Sequence, residues 1–335
     1  MKCLTGDSRV FIVAEIGNNH EGSFEAAQEM IECAARAGAD AVKFQTFIPE
    51  YISAGDSGRL ERLRTFQLSH RQFEELARVA RESNIIFFST PFDPESASFL
   101  NEIQPVFKVA SSDNTHSPLI TQIARFGKPI ILSTGMALIS EICAAENWIR
   151  SIWGSQGQEA LDLALLHCVS SYPVPADQAN LLAIKTLSEE FPEAIPGYSD
   201  HTVGINAAVA SVGLGAKVLE KHFTLDKQFS DFRDHQLSAD PADLAELVAR
   251  VRELEEMLGD GEKKMQPAEE QLLPLLRRSA AASAPLKKGA RIGPADLIWV
   301  RPGDGVCWDD REQIEGRLLR RDLQFAEVIS LDDLV

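Results

Sequence analysis

The sequence predicts an α/β fold in which eight strand and helix pairs close into a parallel TIM barrel, followed by a smaller domain. Short runs rich in β-branched and aromatic residues alternate with longer amphipathic segments through most of the 335 residues. The predicted strands are apolar on both faces, which is typical of a parallel sheet covered by helices. The pairs end near Leu258, close to the ~250 residues of a typical barrel. An open, doubly wound sheet is the alternative, although it more often has about five or six strands.

The first strand and helix pair sets the pattern for the others. The run FIVAEIG (11–17) has the character of a buried strand, and apolar residues from Phe24 to Ala35 then recur at helical spacing before Gly38. The remaining predicted strands cover 41–46, 85–91, 106–111, 129–135, 163–169, 194–200 and 218–223. The remaining predicted helices cover 69–83, 94–103, 117–127, 139–150, 180–191, 204–215 and 241–258.

The chain changes character after Leu258. Residues 259–278 are charged and interrupted by proline, which predicts a linker with a short helix. From Ser279 onward, short strand-like runs separated by turn signals predict a small, mostly β domain. The predicted divisions are therefore a barrel domain at 1–258, a linker at 259–278 and a small domain at 279–335. A domain of that size has a marginal core and gains stability by resting on a larger one.

Composition limits the partners and the cellular location that we expect. Acidic residues outnumber basic ones by 50 to 33, and the net charge of −17 opposes extended contact with nucleic acid or anionic membrane. The sequence has no apolar run of about eighteen residues and no signal peptide, so we expect a cytoplasmic protein. An anionic ligand therefore requires positive charge inside a pocket.

The cysteines point to neither zinc nor a disulfide framework. They are odd in number, scattered, and without a paired CxxC spacing: Cys3, Cys33, Cys143, Cys168 and Cys307. We expect reduced thiols that pack as small apolar residues.

Polar side chains cluster at the carboxyl ends of the predicted strands, which meet at one mouth of such a barrel. Two of them are lysines, Lys43 and Lys108. Hydroxyl groups also stand at strand ends: Thr90, Ser111 and Ser199. This combination predicts a site for a phosphate, alone or with a carboxylate. The alternative is that the lysines point to solvent or pair with Glu15 and Asp113, but two lysines at equivalent strand ends favour a ligand.

His201 and His222 follow predicted strands seven and eight, so their imidazoles are expected at neighbouring points of the mouth. Two neutral imidazoles suit a divalent transition metal whose other ligands are water or substrate. A hydrogen-bonded histidine pair is the alternative, because two protein ligands make a weak metal site. Glu220 is expected to orient its neighbours, whereas Lys221 alternates to the opposite side and is expected to be structural.

The individual motifs resemble those of the sialic acid (nonulosonate) synthases, which condense phosphoenolpyruvate with an N-acetylated hexosamine. The matching motifs occur in the order typical of the family: AEIGNNHEGS (14–23), VKFQT (42–46), FFSTPF (87–92), FKVASSD (107–113), KPIILSTGM (128–136), LLHCVSSYP (165–173), GYSDHTVG (197–204) and EKHFT (220–224). The tail is similar to the antifreeze-like (SAF, β-clip) domain of these enzymes, with RPGDG (301–305) as its arginine-bearing turn. The resemblance covers nearly the whole chain. It implies a TIM barrel followed by that domain, in a homodimer whose small domains are swapped over the partners' active sites.

The same resemblance implies a role for each matching residue. Phosphoenolpyruvate would be bound by Lys43, Thr90, Lys108, Ser111 and Ser199. The sugar would be bound by Gln45, Asp113, Tyr172 and Asp234, and by Arg301 of the partner subunit. The implied cofactor is a divalent metal, manganese or magnesium, held by His201 and His222, which with Glu15 form the catalytic set. Glu15 would move protons at the aldehyde oxygen or at water, and a salt bridge to Lys43 is the alternative role for it.

The implied activity is that of an N-acetylneuraminate synthase, a transferase that forms a nonulosonic acid and phosphate from phosphoenolpyruvate and N-acetylmannosamine or a relative. Legionaminate or pseudaminate synthases are the alternatives within the family. A non-catalytic carbohydrate-binding or antifreeze-type protein is the alternative of another class, but such a scaffold does not need this polar mouth.

Three positions depart from the family pattern and bear on the choice of sugar. Asp113 stands where the family often has glutamate, which shortens its reach, and Ser170 replaces an asparagine amide. Arg233 precedes Asp234 where the family has Gly-Pro before its Asp-His pair. This extra guanidinium either binds an anionic substituent or pairs with Asp231.

Overall fold

The computed structural model describes Leu4, residues 9–53 and residues 57–335, and the chain forms two compact units, Met1–Gly259 and Asp260–Val335. The strands of the first unit are β1 Phe11–Gly17, β2 Ala41–Thr46, β3 Ile86–Pro91, β4 Phe107–Val109, β5 Ile130–Ser133, β6 Leu163–Cys168, β7 Ile195–Asp200 and β8 Val218–His222. Its helices are α1 Phe24–Ala37, α2 Pro49–Ile52, α3 Ser57–Phe66, α4 His70–Glu82, α5 Pro94–Ile103, α6 Ser117–Arg125, α7 Ile139–Ser155, α8 Ala183–Glu190, α9 Asn206–Gly213, α10 Asp234–Leu237 and α11 Pro241–Leu258.

The eight strands form one parallel sheet in the order β3-β2-β1-β8-β7-β6-β5-β4. The strands at the two ends of this order, β3 and β4, also contact each other, so the sheet curves round on itself. This arrangement confirms the TIM barrel and not the open sheet. Its register places Glu15 of β1 opposite Lys43 on one neighbouring strand and opposite His222 on the other.

Strand alternation divides the apolar side chains between two regions. Within the barrel, Phe11 and Val13 of β1 pack with Val218 of β8. On the outer face, Ile12 and Ile16 pack among the helices in a much larger buried cluster. The strands are therefore buried on both faces, as their sequences predict.

The helix ends follow the capping chemistry of the sequence. The side chain of Ser23 accepts a hydrogen bond at the start of α1, and Gly38 ends that helix with a φ of 88°. Ser69 and Gln72 form a capping box on α4, and Asp93 caps α5. The three N-caps set the points at which the chain enters these helices, and Gly38 sets the point at which it leaves α1 for β2.

The structure differs from the predicted elements in several places near the mouth, one of which is the short helix α10 between β8 and α11, where no helix was predicted. The segment between β2 and α4, left unassigned by periodicity, contains the additional helices α2 and α3. Strand β4 ends at Val109 and not at Ser111, because the chain turns into a short 3₁₀ helix over Ser111–Asp113. That turn moves the Ser111 hydroxyl out of the strand ladder.

The second unit has a small β core of its own. The short helix α12 (Leu273–Leu276) lies in the predicted linker, and strands β9 (Ser279–Ala282) and β10 (Leu297–Val300) pair antiparallel. Isolated bridges tie β9 and the loops to the C-terminal residues, around a cluster that includes Ile292, Ile314 and Ile329.

Four of the five cysteines are described, and all four are free thiols. Cys168 is buried as expected, but Cys143 and Cys307 are exposed, so the expectation that the cysteines pack as apolar residues is wrong for these two. Cys3 lies outside the described residues. No helix in the described part of the chain combines the length and apolar character needed to cross a membrane.

Candidate active site

Four ionisable side chains meet inside the barrel near its carboxyl mouth. Alternation along β1, β2 and β8 turns Glu15, Lys43 and Glu220 inward, each two residues beyond an apolar residue of the same face. Lys108 of β4 joins them from across the barrel. All four side chains are buried, with between 2% and 4% of each residue exposed. A barrel filled by apolar residues below therefore ends in a charged layer at its carboxyl mouth.

The four charges are close enough to interact directly. The Lys43 Nζ atom lies 2.8 Å from Glu15 Oε2 and 3.6 Å from Glu220 Oε2, and it donates a hydrogen bond to Thr90 Oγ1 at 3.1 Å. The Lys108 Nζ atom lies 3.8 Å from Glu220 Oε1. The salt bridge considered as an alternative for Glu15 is thus present. Neither lysine points to solvent, and Lys108 faces Glu220 and not Asp113.

Burial and charge move the pKa values of this layer in different directions. Burial raises the pKa of Glu15 to about 7, although Lys43 opposes the change. Burial also disfavours charge on Glu220, but Lys108 and Lys43 outweigh it and hold the pKa of that carboxyl below its usual value. Burial lowers the pKa of Lys108, whereas Glu15 and Glu220 overcome burial at Lys43 and raise its pKa. Glu15 is therefore the carboxyl that exchanges a proton near neutral pH.

A cavity of about 260 Å³ opens above this layer. It is lined by all five residues predicted to hold phosphoenolpyruvate: Lys43, Thr90, Lys108, Ser111 and Ser199. Lys108 Nζ donates to Ser133 Oγ at 2.7 Å, and the Ser199 hydroxyl donates to Glu220 Oε1 at 2.9 Å. The polar groups on this wall are thus already held in place.

Gly135 packs closely against three polar side chains that line this cavity. The Gly135 amide donates to Ser111 Oγ at 3.1 Å. A Cβ atom at this position would lie 2.5 Å from Ser170 Oγ, 2.7 Å from Ser111 Oγ and 2.8 Å from Cys168 Sγ. The Ser170 Oγ atom is buried and has no hydrogen-bond partner among the described residues. A polar ligand that reached this corner would satisfy it.

His201 and His222 lie side by side at the same mouth, with ring centroids 5.3 Å apart. The Nδ1 atom of His201 lies 2.8 Å from the carbonyl oxygen of Val169, which selects the tautomer with a proton on Nδ1 and a lone pair on Nε2. The buried Nδ1 atom of His222 has no hydrogen-bond partner among the described residues.

The histidine pair fits a divalent cation as a partial ligand set. Burial lowers the pKa of His201, and it lowers the pKa of His222 well below the usual range, so both rings are neutral and able to bind a metal. No cluster of three or more His, Cys, Asp or Glu side chains with metal-binding geometry occurs among the described residues. The remaining positions on such a cation would therefore be filled by water or substrate.

A second cavity, of about 720 Å³, is contiguous with the first. Five residues line both cavities: Gln45, Phe92, Tyr172, His222 and Arg233. Of the residues predicted to bind sugar, Gln45, Tyr172 and Asp234 line this larger cavity. The ring of Tyr172 lies 4.3 Å from that of His201, between centroids. His222 therefore stands at the junction of the two spaces, with His201 beside it on the wall of the smaller one.

Of the other two residues predicted to bind sugar, Asp113 belongs to the first unit and Arg301 to the second. Asp113 lines neither cavity; its carboxylate accepts a hydrogen bond from the Ser112 hydroxyl at 2.9 Å and lies 3.8 Å from His116 Nδ1. Arg301 belongs to the second unit, where its Nε atom donates to the carbonyl oxygen of Leu276 at 2.9 Å.

Arg233 does not make the ion pair with Asp231 that was considered from the sequence. Its guanidinium carbon lies 4.7 Å from the centroid of the Tyr172 ring, and its Nε atom lies 3.5 Å from Asp234 Oδ1. The side chain remains 68% exposed and keeps most of its donors available.

Sequence reasoning did not assign Ser133 or Cys168 to the site and gave Glu220 only an orienting role. Ser133 and Cys168 stand at the ends of strands that the sequence does predict, so their positions were open to the same reasoning. The inward position of Glu220 follows from that of His222 two residues later. The structural role expected for Lys221 is confirmed, because its Nζ atom pairs with buried Asp200 at 3.0 Å on the outer face.

Comparison with known proteins shows which family the chain is similar to. A family model described as the NeuB family matches residues 30–263, and one described as the SAF domain matches residues 277–335. An N,N'-diacetyllegionaminic acid synthase from Campylobacter jejuni is 37% identical over 336 residues, which cover 96% of this chain and 99% of that protein. A human N-acetylneuraminate-9-phosphate synthase is 35% identical over 313 residues, 89% of this chain and 85% of that protein.

A solved structure shows the same relationship. The crystal structure of an N-acetylneuraminic acid (sialic acid) synthetase from Leptospira borgpetersenii, in complex with citrate, matches with a TM-score of 0.74 and 36% identity. The match covers 79% of this chain and 90% of that one. The chain therefore belongs to the NeuB family of sialic acid synthase-type enzymes and carries a C-terminal SAF domain.

Proposed function

We propose that this protein condenses phosphoenolpyruvate with the open-chain form of an N-acetylated hexosamine, giving a nonulosonic acid and phosphate. N-Acetylmannosamine or a relative is the proposed acceptor, and N-acetylneuraminate synthase the proposed activity. The observation that carries the proposal is the pair of adjoining cavities: a small one walled by two buried lysines, and a large one that shares His222 with it. An anionic donor in the first and a polar acceptor in the second would meet at this junction.

The smaller cavity suits phosphoenolpyruvate in charge and size. Lys43 and Lys108 provide ammonium groups for its phosphate and carboxylate, and the surrounding hydroxyls complete the hydrogen bonds. With both carboxyls ionised the layer is formally neutral, so an arriving anion repels Glu15 and Glu220. The proton is taken up most readily by Glu15, whose pKa is already about 7. Donor binding thus prepares Glu15 as an acid.

His201 and His222 are proposed to hold the divalent cation, manganese or magnesium, on which enzymes of this family generally depend. When bound there, the cation supplies Lewis-acid polarisation of the acceptor carbonyl. Of the residues near the junction, Gln45 keeps the acceptor close to Glu15: its Nε2 atom lies 3.3 Å from Glu15 Oε1, and Asn18 Nδ2 donates to its Oε1 atom at 2.8 Å. The amide of Gln45 is thereby oriented toward the junction.

The proposed chemistry forms one carbon–carbon bond, adds water to the carbon that bears the phosphate, and breaks the bond between that carbon and the phosphate oxygen. The methylene carbon of phosphoenolpyruvate attacks the aldehyde carbon, and the aldehyde oxygen takes the proton of Glu15. Positive charge develops at the carbon that bears the phosphate. Water adds to that carbon and passes a proton to Glu15. The tetrahedral species then expels phosphate, which takes the proton of the added hydroxyl group as that oxygen becomes the keto oxygen of the product. Lys43 and Lys108 stabilise the phosphate and carboxylate while the charge moves.

Legionaminate or pseudaminate synthesis remains the alternative within the family, because the same donor site serves any of these acceptors. Relatives named for both activities are similar to the chain over most of its length. A non-catalytic binding protein is disfavoured by the buried charged layer. Four ionisable groups in a barrel mouth are costly to bury, and a scaffold without chemistry has no use for them.

We also propose a homodimer in which Arg301 of the partner subunit completes the acceptor site. The planar fork of this arginine suits an N-acetyl carbonyl oxygen. The turn that bears it is stiffened by Pro302.

The direct test is phosphate release from phosphoenolpyruvate in the presence of manganese and a panel of N-acetylated hexosamines. The panel contains N-acetylmannosamine, its 6-phosphate and the diacetamido sugars that lead to legionaminate and pseudaminate. Release with one of them, together with a nonulosonate product by mass spectrometry, is the expected result. Absence of release with every sugar would contradict the proposal and favour the binding scaffold.

A further inference from the structure

The guanidinium groups of the larger cavity have no role in the chemistry proposed above. Arg59 and Arg62 of α3 and Arg233 before α10 all line it, against two carboxylates, Asp231 and Asp234. The chain as a whole carries a net charge of −17, so a wall with more basic than acidic side chains runs against its general composition. A local excess of positive charge in a concave site indicates an anionic group on the ligand.

Arg59 and Arg62 differ from the next arginine on the same helix. Arg64 lies 2.8 Å from Glu50 and 3.7 Å from Glu61, which occupies its donors. Within the described part of the chain, neither Arg59 nor Arg62 makes an ion pair with a carboxylate. Two guanidinium groups three residues apart share one face of a helix, so they can converge on one ligand group. Their geometry suits the oxygens of a phosphate.

The positions of the arginines indicate which part of the ligand each of them would contact. Arg233 lines both cavities and stacks on Tyr172, so it lies near the junction. Arg59 and Arg62 line the larger cavity but not the smaller one. An acceptor with its aldehyde carbon beside His222 therefore extends toward these two arginines.

We propose that the acceptor sugar carries a phosphate ester at the end remote from its aldehyde, and that Arg59 and Arg62 bind this phosphate. The inference rests on the proposed function, because it assigns the larger cavity to the acceptor, and it narrows that acceptor from N-acetylmannosamine or a relative to a phosphorylated relative. The cavity volume of about 720 Å³ leaves room for a hexosamine with such an extension. Arg233 would then face the middle of the acceptor.

The test is calorimetric titration of the full chain, with manganese, against N-acetylmannosamine 6-phosphate and N-acetylmannosamine. The phosphorylated sugar is expected to bind at least about tenfold more tightly, the usual effect of one charge-assisted hydrogen bond or more. In an Arg59→Ala/Arg62→Ala double variant this preference should disappear. Arg64→Ala is the matched control: it removes a guanidinium from the same helix, but one that does not line the cavity, and it should keep the preference.

Three outcomes would overturn the inference: equal affinity for the two sugars, a double variant that keeps the preference, or tighter binding of the corresponding C6 carboxylate, N-acetylmannosaminuronate. Melting curves of both variants verify that the helix is intact, as expected for exposed side chains. Phosphate release measured in parallel separates this question from the proposed function. An arginine-dependent preference without release from any sugar would support the inference and contradict the condensation.

Discussion

Glu15→Gln gives the sharpest test of the proposed proton transfer. The amide has the size of the carboxyl and keeps an oxygen to accept the hydrogen bond of Lys43, which now lies 2.8 Å from Glu15 Oε2. The fold should therefore persist while the proton is lost. A positioned general acid contributes roughly 10²- to 10⁴-fold, so kcat should fall by about that factor with little change in the KM for phosphoenolpyruvate.

The pH dependence tests which protonation state of Glu15 is the active one. Burial raises the pKa of Glu15 to about 7, and the protonated form is the acid, so kcat/KM of the wild-type enzyme should fall as the pH rises through about 7. The same shift affects stability. The pKa of Glu15 is higher in the folded protein, about 7, than in the unfolded chain, about 4.5. Its contribution to the free energy of unfolding is therefore fully present below about pH 4.5 and is lost as the pH rises to about 7. The loss amounts to roughly 3 kcal/mol. The glutamine variant should lack both effects.

The assays are phosphate release across pH 5.5 to about 9 and urea unfolding at about pH 4.5 and pH 7.5. Glu146→Gln is the control, because it changes a carboxyl paired with Arg150 on α7, remote from the mouth, and should leave the profile unaltered. The assignment of Glu15 would be refuted if the glutamine variant kept the wild-type kcat. It would also be refuted if kcat/KM of that variant still fell as the pH rose through about 7.

The remaining predictions concern the metal, the donor cavity and the partner subunit. His222→Ala should abolish turnover with an unchanged melting curve, and full activity in chelator-treated wild-type enzyme would contradict a metal role. Gly135→Ala places a methyl group 2.5 to 2.8 Å from three polar atoms of the smaller cavity. This substitution should raise the KM for phosphoenolpyruvate at least about tenfold, and an unchanged KM would show that the donor binds outside this cavity. Mixed dimers of Arg301→Ala and His201→Ala subunits should regain partial activity, because one of their two sites combines intact halves. Failure to regain it despite proven subunit exchange would count against the swapped arrangement.

The barrel and much of its mouth could be predicted because two periodicities coincide in this sequence. The alternation of strand-like and helical runs gave the order of the elements, and the period of two within strands gave the face of each residue. Glu15 follows Val13 and His222 follows Glu220 on the inward face, so knowing that β1 and β8 are strands suffices to bring these side chains together.

The contacts across the barrel could not be predicted in the same way. Glu220 comes close to Lys43 and Lys108, which lie on strands that do not pair with β8, so their distances depend on the width of the closed barrel. The path of the connections is equally hidden. Asp113 sits in a 3₁₀ turn that directs its carboxylate toward His116, and α3, which bears Arg59, has too weak an apolar stripe to be recognised from periodicity.

The two lysines of the smaller cavity are not equivalent, and the difference indicates which of them anchors the donor. Lys43 already has a carboxylate at 2.8 Å, a second at 3.6 Å and the Thr90 hydroxyl, and its pKa is raised by the two carboxylates. The nearest carboxylate to Lys108 lies at 3.8 Å, its other contacts are the uncharged Ser133 hydroxyl and a carbonyl oxygen, and burial lowers its pKa. An ammonium group that is buried and poorly compensated gains most from an incoming anion. In the proposed reaction, donor binding therefore draws its electrostatic free energy chiefly from Lys108, and Lys43 keeps Glu15 in place for the proton.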